Sequence, residues 1–96
     1  MRMLSRIDII VEPPTAVESA IKEIEHVLEA SKFERLEHFK VEKARTQGEL
    51  YLFLQVTAKE DELAEDLAYD IADRILEQLP QFENRFSTGS NFMIPA

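Results

Sequence analysis

Tyr51 and Phe53 stand two residues apart in a run, Glu49 to Ala58, that is apolar along most of its length. Arg6 and Asp8 have the same spacing in an earlier run, Met3 to Val11. A spacing of two puts each pair on one side of a β-strand. Two aromatics near an arginine and a carboxylate can bury apolar area against a partner. They can also line a small-ligand pocket. With a shifted pKa, the charged groups could do acid–base work. Gln55 continues the aromatic row. Lys40 and Glu42, alternating with Phe39 and Val41, can flank it.

Other chemistry is thinly represented. No cysteine occurs, which removes thiolate metal sites, disulfides and cysteine nucleophiles together. His26 and His38 are the only histidines, and no H-x-x-x-H spacing exists. No metal site and no cofactor are expected. The serines and threonines have no base nearby in sequence, G-x-S-x-G is absent, and Gly48 and Gly89 stand alone. No catalytic residue is nominated, and an enzyme is the less favoured reading.

The second charged feature is acidic. Between Lys59 and Leu79, eight acidic residues face only Lys59 and Arg74. At helical spacing Glu62, Asp66, Asp70, Asp73 and Glu77 form one ridge. A solvated face is the plain reading of such a ridge. A basic protein partner is the functional one. A straight helix does not wrap a cation with six to eight oxygens, so calcium is not expected.

The whole chain, 96 residues with a net charge of −8, repels phosphate backbones. The aromatic pair invites comparison with RNA-stacking strands. However, Gln47 stands where a basic residue should precede Gly48, and the aromatic spacing from that glycine does not fit. Nucleic acid is therefore not an expected partner. No apolar stretch approaches the ~18 residues of a membrane span, and the N-terminal run is broken by Asp8 and Glu12. The expectation is a cytoplasmic protein with no membrane association.

The elements that position these residues follow from periodicity. Ile7, Ile9 and Val11 alternate with Arg6, Asp8 and Ile10 in a first strand, which Pro13-Pro14 ends. Thr15-Ala16-Val17-Glu18 has the form of a capping box. Behind it Val17, Ala20, Ile21, Ile24, Val27 and Leu28 recur at helical spacing, predicting a helix from Ala16 to Ser31. Phe33 to Arg45 is a weaker strand, with a loop or bulge in its first part. Thr46-Gln47-Gly48 is a turn.

In the third strand, Glu49 to Ala58, Leu50, Leu52, Leu54 and Val56 face one side and Tyr51, Phe53, Gln55 and Thr57 the other. Lys59-Glu60-Asp61 opens a second helix with the stripe Leu63, Ala64, Leu67, Ala68, Ile71, Ile75 and Leu79, stopped by Pro80. Phe82 to Ser87 reads as a last strand, broken by Gly89-Ser90-Asn91. Residues 89–96 read as an apolar docked tail around Phe92-Met93-Ile94.

The order β-α-β-β-α-β resembles the ferredoxin-like superfold over nearly the whole chain, read as one α+β domain over residues 1–96. That arrangement implies a four-stranded antiparallel sheet with both helices on one face. The superfold carries no function by itself. The other face would show Arg6, Asp8, Tyr51, Phe53 and Gln55. The favoured expectation is a non-catalytic domain that self-associates through this face, most simply as a dimer, and serves protein–protein interaction. The alternatives are a small-molecule regulatory module, and a cofactor-independent enzyme with its pocket on the same face.

Overall fold

The computed structural model describes residues 2–79 and the backbone of residues 86–95. Strand β1 spans Arg2–Val11, helix α1 Val17–Ala30, strand β2 Leu36–Lys43, strand β3 Glu49–Thr57, helix α2 Ala64–Glu77 and strand β4 Phe86–Pro95. All strand pairs are antiparallel: β1 with β3, β2 with β3, and β1 with β4.

Alternation sorts the sheet into two faces. Ile7, Ile9, Leu50, Leu52, Leu54 and Val56 are fully buried. They join Ala20 and Ile24 of α1 and Ala68, Ile71 and Ile75 of α2 in one core cluster. Both helices therefore cover the same face. Each helix presents a buried stripe at helical spacing and leaves its charged residues outside.

The β2–β3 hairpin turns at Gly48, whose φ of +84° is a conformation that side-chain-bearing residues rarely adopt. The Gly48 carbonyl accepts the Val11 N–H at 2.8 Å, so the turn also holds the end of β1.

The structure corrects several expectations. The four-stranded ferredoxin-like sandwich expected, with its last strand at Phe82 to Ser87, is not what the described side chains define. What is defined with side chains is an α+β domain of three antiparallel strands, β2-β3-β1, with two helices on one face. The last strand was expected from Phe82 to Ser87, and Pro80 through Arg85 lie outside the described residues. The segment beside β1 is instead Phe86–Pro95, which gives the order β2-β3-β1-β4 along the sheet. It runs through Gly89-Ser90-Asn91, where a break was expected. A register shift between Ile7 and Ile9 of β1 falls at that stretch. A bulge in an edge strand accommodates an extra residue, and glycine is common there.

The capping box at Thr15 does not form. Residues Pro14–Ala16 make a short 3-10 turn, and α1 begins at Val17 with no side-chain cap. Thr15 thus lies inside a turn rather than at the extended position that a capping hydroxyl needs.

The second helix also begins later than Lys59. Residues 59–62 form a turn in which the Glu62 carboxylate accepts the Lys59 N–H at 2.8 Å. Leu63 then takes an extended conformation, is 68% exposed and lies off the apolar stripe.

Candidate interaction face

The sheet face away from the helices carries the residues singled out in the sequence. Registers align them in rows across β2, β3 and β1. One row is His38, Gln55 and Leu4; the next is Lys40, Phe53 and Arg6; the next is Glu42, Tyr51 and Asp8. Arg6, Asp8, Tyr51, Phe53 and Gln55 are all half-buried, and Ile10 is 39% exposed.

The Arg6 guanidinium lies 4.5 Å from the centroid of the Tyr51 ring, a cation–π contact. Its Nε is 3.2 Å from Asp8 Oδ1, an ion-pair distance without hydrogen-bond alignment. Tyr51 meets Phe53 edge-to-face, with centroids 6.2 Å apart. Lys40 Nζ lies 3.2 Å from Glu42 Oε2. A shallow cavity of about 230 Å³ opens over Leu4, Phe53 and Gln55, with His38, Lys40 and Glu42 among its walls.

Glu37 closes one end of the face. Opposite Val56 and Gln55, the β2 register slips between Leu36 and His38. This slip places Glu37 where its carboxylate accepts the Thr57 hydroxyl at 2.7 Å and the Gln55 amide at 3.1 Å, with Arg2 Nε at 3.1 Å. The Thr57 hydrogen bond holds the Glu37 carboxyl below the usual glutamate range. Partial desolvation opposes this, and Gln55, Arg2 and His38 add to the lowering.

A depressed folded pKa contributes stability that is present above the unfolded value and is lost as pH falls through the folded value. The wild type is therefore expected to lose stability more steeply than Glu37→Gln on acidification below the ordinary glutamate range. Urea midpoints of the two proteins from pH 6 down to pH 3, on the order of that titration range, check this. Parallel curves would contradict it.

The acidic ridge is shorter than expected. Glu62 lies outside α2, where Arg35 Nε reaches its Oε1 at 3.1 Å. Hydrogen bonding from the Lys59 N–H is the main cause of its lowered pKa. Desolvation opposes the lowering, and Arg35 assists it. Asp66, Asp70, Asp73 and Glu77 remain together on the exposed side of α2, and Asp70 pairs with Arg74 at 3.1 Å. The Glu62 pairing is the part of this pattern that helical spacing could not reveal.

His26 and His38 are exposed on different elements. Among the described residues, no group of three or more His, Asp or Glu side chains is placed to hold a metal. None of the described helices is long and apolar enough to cross a membrane.

Sequence reading also passed over Leu4 and Glu37. Leu4 belongs to the same alternation as Arg6, Asp8 and Ile10 and could have been found by extending it. Glu37 has no such signal, because only the bulge brings it onto this face.

The charge of the face differs from that of the chain. On β1, β2 and β3 it carries Arg2, Arg6 and Lys40 against Asp8, Glu37, Glu42 and Glu49. That leaves it within one charge of neutral, whereas the chain carries −8.

No family model matches this chain, and no curated protein matches it as a relative.

Proposed function

We propose that this is a non-catalytic interaction domain that self-associates through its open sheet face. One observation carries the reading: the face joins an aromatic pair and flanking aliphatics to a nearly balanced set of charges on an otherwise acidic molecule. Two copies approaching by their helix sides bring like charge together. Approach by this face brings little net charge together and covers Phe53, Tyr51, Leu4 and Ile10. A small domain also gains burial by pairing. The lack of cysteine suits a reducing compartment such as the cytoplasm.

A second reading, a small-ligand module, has the cavity beside Phe53 in its favour. Its volume of about 230 Å³ lies below the usual range of about 300–1,000 Å³ for ligand pockets. A broad contact therefore fits this face better than an enclosed ligand.

Amide and methyl spectra recorded along a dilution series test the proposal. Concentration-dependent shifts are expected at Leu4, Ile10, Lys40, Tyr51 and Phe53, and not along the outer faces of α1 and α2. Shifts centred on α2 would move the interface to the acidic helix. A concentration-independent spectrum would overturn the proposal.

A further inference from the structure

The rows of the open face carry more information than its overall balance. Across β2, β3 and β1, one row reads Lys40, Phe53, Arg6. The next reads Glu42, Tyr51, Asp8. The first is basic, aromatic, basic, and the second is acidic, aromatic, acidic. Between them, on the buried side of the sheet, runs the row Val41, Leu52, Ile7.

We infer that the partner on this face is a second copy of the same chain, docked about a two-fold axis. The axis runs across the strands above the Val41, Leu52 and Ile7 row. This inference rests on the self-association reading and specifies its geometry.

An isologous interface sets every contact twice, residue i on j and j on i. Rotation about this axis lays the basic row of one copy on the acidic row of the other. Lys40 then faces the partner's Glu42, Arg6 faces the partner's Asp8, and Phe53 faces the partner's Tyr51. The next rows out also match, with Leu4 against the partner's Ile10. Strands in the two sheets run nearly aligned, as in face-to-face sheet packing. Same-face residues two apart along a strand are about 7 Å apart, and neighbouring strands lie about 4.8 Å apart. Opposed rows therefore fall within reach of Lys, Arg and Glu side chains.

The intrachain contacts fit this arrangement. Lys40 with Glu42, and Arg6 with Asp8, are already paired within one copy at 3.2 Å. Docking joins each pair to its symmetry mate as a quartet of alternating sign. The edge-to-face Tyr51–Phe53 pair likewise becomes a cluster of four rings. A rotation axis along the strands would not place the basic row on the acidic one.

The Lys40 and Glu42 side chains are 69% and 42% exposed, so they can be reversed without touching the core. The experiment compares the dimer dissociation constants of the wild type, Lys40→Glu, Glu42→Lys and the double reversal, by sedimentation at low salt. Each single reversal puts like charges together at two symmetric places. Each is expected to weaken the dimer about tenfold or more. The double reversal is expected to return to within about threefold of the wild type.

Glu42→Lys is the decisive variant. It moves the acidic chain two charges towards neutrality, so general repulsion alone would tighten the dimer. The geometry predicts that it loosens. Tightening by Glu42→Lys, or a double reversal as weak as the two singles combined, would overturn this geometry while leaving self-association intact. A wild type that never associates would overturn the self-association reading beneath it.

Discussion

Leu52→Ala is expected to destabilise the protein by about 2–5 kcal/mol, the range for truncating a buried leucine. Leu52 is fully buried between Ile7 and Val41 in the middle strand of the β2-β3-β1 sheet, and both helices close over its face. The loss combines the transfer free energy of the removed carbons with the cavity left behind, since packed interiors relax only in part. Chemical denaturation at a fixed protein concentration measures it. The concentration must be fixed because association adds to apparent stability. A midpoint unmoved by Leu52→Ala would mean that the helix-covered face does not carry the core.

Phe53→Ala, one residue away, is expected to act on a different quantity. Its ring is half-buried on the open face and touches Tyr51 edge-to-face. In an isolated copy the cost is one such aromatic contact, about 0.5–1.5 kcal/mol, plus the apolar area that the half-buried ring keeps from water. In the dimer, a central aromatic truncated at two symmetric places has the character of an interface hot spot. A loss of about 2 kcal/mol or more, roughly 30-fold in dissociation constant, is expected. Sedimentation of the variant over a concentration series reads this directly. If Phe53→Ala unfolded the isolated chain and left association untouched, the roles assigned to the two faces would be reversed.

The contrast between Leu52 and Phe53 shows what the sequence made legible. Period-2 alternation separates the two faces wherever a strand is regular, because successive side chains then point to opposite sides. Ile7, Ile9, Leu50, Leu52, Leu54 and Val56 accordingly lie together in the core. The apolar stripes of both helices were legible for the same reason.

Features that depend on contacts distant in sequence were not legible. Glu37 reaches the open face through a register slip, and its partners Thr57, Gln55 and Arg2 come from two other strands. Glu62 looked like the first member of a helical ridge, but Arg35 and the Lys59 N–H hold it in a turn. The expected break at Gly89 rested on local propensity. The backbone pairing with β1 shifts register there and resumes on the other side.

The open face was partly readable. Tyr51, Phe53, Gln55, Arg6 and Asp8 could be assigned to it by parity alone. The row pattern that pairs basic with acidic positions needs the register between strands, and hydrophobic alternation in single segments does not supply that.

The most direct test of self-association is the solution mass of the wild-type chain, by light scattering on a sizing column over at least about a tenfold dilution. The prediction is a mass near twice the 11.1 kDa of one chain at high concentration, falling towards a single copy on dilution. A mass of one copy at every concentration would contradict it and leave Tyr51 and Phe53 to a cover of another kind.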